Sequence, residues 1–537
     1  MPEPMPRRRL GVPRAASILF PLAALVACVA WAGQGPVPSR GPANAVIASP
    51  HRVGDAAAGR DVFRFETFGN EGFWTDAMRL PRGMIDAGFT PVQALKAGLS
   101  VDMDALDAGT REALAEELKT DLSPEKAPRL NDPKTTLALI NANAVIGVVP
   151  KDTDGDGTID VARGDKVGIA CAICHTVTDK TAFDLPGGGS IGRRVDGPAT
   201  PTLNMGALLA LADNSRAYYP NLQVTLGGKT RGRTPRGLTP DSTEAEVDAY
   251  LTNPAFYPVG TFDASPDGIG NSTLSMPIFC AHLAAPWGTG GEIGVLDNIS
   301  NFSYTINLDL TTLVTPEGRQ FLHKLAGAAG DQLADDYARV LATTGVKGFP
   351  FVKHSAVGKP GEEATPVGRR VDDKKIVDMN AYLNSLPEPR GAKVEAVAAG
   401  RGRETFRAAC TTCHNVDQGR PVPAVLVDLR TIWPGYSPVV DTARQPPLDP
   451  IQDAPGTFDD HMIMLDASQR GLRRGNAMPM LLDLARRGAV LHDASVPSLD
   501  ALLDPARGAT APHPFFIADP AGRSDVVQFL RGLDTGR

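Results

Sequence analysis

Two five-residue patterns constrain this chain more than anything else in it: Cys171-Ala172-Ile173-Cys174-His175 and Cys410-Thr411-Thr412-Cys413-His414. Two thiols three residues apart on a tight helical turn can each add to one vinyl group of a haem, and the next residue then turns its imidazole toward the iron. With 9 histidines in 537 residues, chance would place one behind both pairs roughly 3 times in 10,000. Pairs in a four-cysteine zinc site usually stand about 15 to 20 residues apart, whereas these begin at positions 171 and 410. A redox-active dithiol would need no histidine. The pattern therefore predicts two covalently held haems c, with Cys171, Cys174, Cys410 and Cys413 as attachment points and His175 and His414 as proximal iron ligands.

Haem attachment of this kind takes place outside the cytoplasm, and the N-terminus agrees with that compartment. Arg7, Arg8, Arg9 and Arg14 precede an apolar run from Ala15 to Ala32, the form of an export signal. Ala30 and Ala32 offer a cleavage site before Gly33, which makes residues 1–32 a signal peptide and 33–55 a linker. Leu25-Val26-Ala27-Cys28 instead resembles a lipoprotein box that would leave a lipid on Cys28, and retention as an uncleaved anchor is a third outcome. The expected location is the periplasm, either free or lipid-anchored, with no transmembrane span in the mature chain. The formal charge of -7 becomes more negative once four arginines and Glu3 leave with the signal, so no basic face for nucleic acid is implied. Cys280, outside both motifs, reads as a buried thiol, with intermolecular pairing as the lesser alternative.

At 537 residues the chain exceeds what one hydrophobic core usually supports. The pattern predicts a mainly α protein of two cytochrome c-like haem domains with long irregular loops, the first enlarged by insertions. The C-terminal domain spans 394–537. It opens with Ala398-Ala399-Gly400-Arg401 running through Phe406-Arg407, and it closes with Val526, Phe529, Leu530 and Leu533 on one helical stripe. The N-terminal domain, 56–386, repeats the plan. Ala57-Ala58-Gly59-Arg60 with Phe63-Arg64 opens it, and Met379, Tyr382, Leu383 and Leu386 form the closing stripe, stopped by Pro387. A proline- and glycine-containing linker at 387–393 separates the two. Residues 187–288 read as irregular haem-packing loops, and the alternation of Phe302, Tyr304, Ile306, Leu308 and Leu310 suggests minor strand pairing between Phe302 and Leu313.

The sixth iron ligands are not fixed by spacing. For the second haem the choices are His492, Met478 and His461; for the first they are Met276, Met205, His282, His323 and His354, or an open position. The choice matters because an iron closed on both faces by strong ligands only passes electrons, whereas an open face binds peroxide or oxygen. Asp152, Asp154, Asp156 and Asp160 alternate around Gly157 as in a calcium loop, but position twelve is Arg163 rather than a bidentate glutamate. Calcium as a structural clamp beside the first haem therefore competes with a plain solvated acidic turn.

The segment Gly475 to Leu499, containing Met478-Pro479 and Leu491-His492-Asp493, together with the closing helix, resembles the C-terminal domain of the di-haem cytochrome c peroxidase superfamily. That superfamily includes the methylamine dehydrogenase maturation enzyme and the haem-dependent rubber oxygenases. The resemblance is greatest to the rubber-oxygenase branch, and it implies His492 as second axial ligand of the C-terminal haem. Bacterial peroxidases carry a Met fourteen residues beyond the matching His, where this chain has Ala506. The first half is similar to bacterial periplasmic cytochromes of unsettled activity at Phe68-Gly-Asn-Glu-Gly-Phe-Trp74-Thr-Asp76, at Gly168 to His175 and at Ile191 to Gly197. Two functions are thus expected. One is electron transfer between redox partner proteins. The alternative is a peroxidase or oxygenase-type oxidoreductase with an open N-terminal haem; Glu66, Glu71 and Trp74 are candidates to line that face, against the plainer and favoured reading of all three as ordinary core or surface residues.

Overall fold

The computed structural model describes residues 53–533 apart from 231–235, 264–267, 269–271, 279–295, 357–367, 388–389, 411–413, 415–425, 429–463, 467–475, 478–480, 482, 492–493, 509–512 and 514. The signal segment with Cys28, and Cys280, His282, Cys413, His461, Met478 and His492, lie outside the described residues. The described chain is mainly helical with short strands. Among the described residues no helix is long and apolar enough to cross a membrane.

Among its elements, the ones that position the two cysteine motifs are, in chain order, helix α1 (Ala56–Phe65), strands β1 (Val148–Lys151) and β2 (Lys166–Ile169), the single helical turn α2 (Ala172–His175), and strands β3 (Thr176–Thr178) and β4 (Arg194–Asp196). Helices α3 (Pro316–Ala326), α4 (Ala328–Thr343), α5 (Asp373–Ser385), α6 (Ala396–Ala409) and α7 (Pro520–Arg531) come later, and other short helices and strands lie between them.

The ends of each half pack on each other in the same way. Helix α1 is started by Asp55, whose carboxylate accepts from the main-chain N–H groups of Ala57 and Ala58 at 2.8 and 3.2 Å. It crosses α5 at Gly59, where a Cβ would stand 1.8 Å from the Asp378 carbonyl oxygen. Phe63 then meets Tyr382 with ring centres 5.8 Å apart. Helix α6, started by Glu395 through Val397 and Ala398, crosses α7 at Gly402, where a Cβ would stand 2.0 Å from the Asp525 oxygen. Phe406 meets Phe529 at 5.4 Å. Only glycine lets two helix backbones approach this closely. The repeat is therefore in register at Gly59 and Gly402, each four residues before its phenylalanine, rather than at Gly400 as the shared Ala-Ala-Gly-Arg string suggests.

The insertions build a core of their own. Leu333, Ala334, Tyr337, Val340 and Leu341 of α4 are buried in it, and the Tyr337 hydroxyl donates to the Ala217 carbonyl at 2.8 Å. The strand expected between Phe302 and Leu313 is instead a π-helical turn over Ser303–Asn307 followed by a 3-10 turn over Leu310–Val314. Tyr304, Ile306, Leu310 and Leu313 are all fully buried. A segment enclosed on every side carries no readable period, so alternation there did not mean a strand. Asp309, itself fully buried, fixes the bend by accepting from the N–H groups of Thr311, Phe351 and Val352.

Candidate functional site

The first cysteine pair sits at the end of a hairpin. Strands β1 and β2 run antiparallel with Val148 opposite Ile169, which delivers the chain to Cys171. Asn70, fully buried, clamps this approach: its side chain donates to the Ile169 carbonyl at 2.8 Å and accepts from the Ile169 N–H at 2.9 Å. The exit is fixed as firmly. Gly197 N–H donates to the His175 carbonyl and the Thr200 hydroxyl to that of Cys174, at 2.8 and 3.1 Å, so the last carbonyls of so short a helix are satisfied. Asp196 accepts from Thr176, Arg64 and Tyr382 at 2.8, 2.6 and 2.6 Å. One carboxylate therefore ties the residue after His175 to both α1 and α5.

The chemistry of the turn follows from its enclosure. Burial pushes the Cys171 thiol up to about 11 and the Cys174 thiol to about 12, so both are uncharged thiols at neutral pH. Neither is in a disulfide, nor is Cys410. The Cys171 sulfur lies 3.2 Å from the hydroxyl of Tyr304, whose fully buried ring meets Phe68 edge-on at 4.5 Å. Burial drives the His175 imidazole down to about 4, so the ring is neutral at physiological pH, the form that coordinates metals. Its Nδ1 is enclosed without a hydrogen-bond partner.

At the second site the structure brings His414 together with a histidine that the sequence did not single out. The rings of His414 and His513 have centres 6.3 Å apart, with planes inclined at 46°. Burial holds His414 down to about 3, with His513 adding to the effect, and burial holds His513 down to about 4. Two imidazoles joined directly by a hydrogen bond would have centres only about 5 Å apart. Two metal–imidazole bonds of about 2 Å each, with the half-widths of both rings, span roughly 6 Å. His513 Nδ1 is enclosed without a partner. The residue is held at φ 57°, a left-handed conformation uncommon outside glycine that concentrates at functional sites. At the first site the partly buried thiols of Cys171 and Cys174 beside the neutral His175 imidazole fit a haem c, and at the second site Cys410 with two neutral imidazoles at this spacing does so too.

The remaining ligand candidates fall in different places. His323 is exposed on α3 and lies 2.9 Å from Asp331. The His354 ring lies 2.9 Å from Arg369, which also pairs with Glu317. Met205 begins a short helix and is partly buried against the insertion core. Met276 runs beside the first site, its main chain acting on the His175 ring and its sulfur 2.7 Å from Arg487 Nη2. Of the residues expected to line an open face, Glu66 is paired with Lys375 and Glu71 accepts from the Thr67 hydroxyl at 2.6 Å. Trp74 is buried in the core that Cys174 packs against, with its indole N–H unpartnered.

In the acidic loop, carboxylate oxygens of Asp152, Asp154 and Asp156 lie within 4.8 Å of one another, all three residues exposed. Asp160 does not join them and pairs with Arg163 at 3.2 Å. The loop is closed by Asp165, which accepts from the N–H groups of Thr153 and Asp160, each at 2.8 Å.

Asn70 and Asp196 fall inside stretches already notable in the sequence, although nothing in it assigned them these contacts. His513 carries no comparable signal: it stands between Pro512 and Pro514 and belongs to no periodic element. No family model, no curated protein and no solved structure matches the chain.

Proposed function

We propose that the protein is an exported di-haem c-type cytochrome that passes electrons between redox partner proteins in the periplasm, with one haem held in each of two cytochrome c-like domains. The carrying observation is the pair His414 and His513, two partly buried neutral imidazoles whose centres stand 6.3 Å apart. A haem held by His414 and His513 would supply a one-electron couple. The chain's part would be to limit water at the site and to keep the two imidazoles neutral and in place to hold the group. At the first site Asn70 and Asp196 do the corresponding work on the proximal side, by fixing where Cys171 enters and where His175 leaves.

One observation favours a second reading, a di-haem peroxidase or oxygenase-type oxidoreductase with an open first haem. Three of the four described candidates for that sixth position are engaged elsewhere, His323 with Asp331, His354 with Arg369 and the Met276 sulfur with Arg487, and the fourth, Met205, packs against the insertion core. The same reading includes membership of the di-haem peroxidase superfamily, export with or without a lipid on Cys28, and calcium in the loop of Asp152, Asp154 and Asp156. Optical and electron paramagnetic resonance spectra of the oxidised protein, before and after cyanide, test the function. Electron transfer predicts two low-spin irons indifferent to cyanide. One high-spin iron that binds cyanide gives the enzyme, and two such irons overturn both readings.

A further inference from the structure

Arg487 stands out among the partly buried cations. It comes from the C-terminal half, yet its guanidinium Nη2 reaches the Met276 sulfur at 2.7 Å and the Ser275 carbonyl at 3.4 Å, both in the N-terminal half. Its Nε is enclosed and has no hydrogen-bond partner among the described residues. The segment it touches flanks the first cysteine pair: the Ser275 side chain acts on the Cys174 thiol and the Met276 main chain on the His175 ring. The charge therefore lies one residue away from two members of the first site.

A guanidinium in such surroundings is costly. Neither a thioether nor a carbonyl neutralises it, and the carboxylate that acts on it, Asp483, also pairs with Arg486 at 2.6 Å. Burial lowers Arg487 to about 10, which still leaves it charged at neutral pH. Under-compensated positive charge at a partly buried site, where water screens it less than at the open surface, acts over several ångströms on a neighbouring group that changes charge. The iron expected beside His175 is such a group, since it gains one negative charge on reduction.

We propose that Arg487 is a positioning residue for the electron-transfer reaction. It carries a positive charge from the C-terminal half onto the proximal side of the first haem site and holds that iron's reduction potential above the value the site would otherwise have. The inference rests on the di-haem reading above. Reduction takes one electron from a donor protein and leaves the guanidinium protonated throughout, so the effect is electrostatic and needs no proton transfer.

The experiment is a spectroelectrochemical titration of the full-length holoprotein and three variants, with haem content measured on each sample. Arg487→Met should shift the first haem's midpoint to a lower value and leave the second haem's in place, and Arg487→Lys should stay near the parent. Asp483→Asn, which removes the opposing charge, should shift the first midpoint upward. Opposite signs from two buried substitutions are not what general loosening of the site produces. Unchanged midpoints in both Arg487→Met and Asp483→Asn, or equal shifts at both haems, would overturn the proposal. If Arg487→Met does not load haem, Asp483→Asn decides alone, and a first midpoint that is unmoved or lower refutes the idea. Absence of haem from the parent protein would instead refute the di-haem reading.

Discussion

Gly59 is pressed against the main chain of Asp378, so closely that a methyl group there would stand 1.8 Å from the carbonyl oxygen. Gly402 stands against Asp525 in the same way. Substituting either with alanine forces the helices apart, a disturbance that costs about 1–3 kcal/mol in comparable overpacked sites. Gly59→Ala and Gly402→Ala should each lower the thermal midpoint by several degrees, whereas Gly400→Ala, with nothing within 4 Å of the added atom, should not. Calorimetry of the three variants checks this, and equal effects at Gly400 and Gly402 would remove the proposed register of the repeat.

The carboxylate of Asp378 also responds to pH. Its hydrogen bond from Lys374, together with the one from the Asp55 N–H, holds it below the ordinary value of 3.8. A carboxylate that binds its proton less readily when folded stabilises the fold above its unfolded pKa, and that contribution is lost as pH falls through the lower, folded value. The thermal midpoint should therefore decline below about pH 4, and Asp378→Asn should flatten part of that decline. A variant with the parent's full slope would show that this residue contributes none of it.

His513→Ala removes one of the two rings at the second site. The second haem should turn from low-spin to high-spin and bind added imidazole, while His492→Ala leaves its spectrum unchanged. A second haem that stays low-spin in His513→Ala and becomes high-spin in His492→Ala would return the ligand to the position that the family resemblance implies.

Calcium should raise the thermal midpoint if the acidic loop is a clamp. Ligand at one hundred times its dissociation constant stabilises by about 2.7 kcal/mol, and Asp152→Asn with Asp154→Asn should abolish the gain. The pairing of Asp160 with Arg163 removes one expected ligand, so affinity should be modest. No response to calcium or to a chelator, by calorimetry, would leave a solvated turn closed by Asp165.

The parts of the fold that follow local rules were legible in the sequence. The stripes at Met379, Tyr382 and Leu383 and at Val526, Phe529 and Leu530 lie on α5 and α7, where one amphipathic face writes its period directly into the chain. The alternation around Tyr304 points to a strand in the sequence only because a segment buried on all sides has no polar face to set its period. His513 and Arg487 were invisible for a different reason. Each acquires its role from a partner far away in sequence, His414 for one and Met276 for the other, and only the folded chain brings them together. The attachment motifs were legible because covalent chemistry demands fixed spacing, whereas a distal ligand can arrive from any loop.

The central claim is that two iron porphyrins are bonded through thioethers to the two cysteine pairs. Intact-mass spectrometry of mature protein from an export-competent host, read beside its alkaline pyridine spectrum, measures this directly. The mature protein should exceed the mass of the processed chain by two haem groups that survive denaturation and acid extraction. A chain carrying neither, or one whose thiols hold zinc, would contradict it.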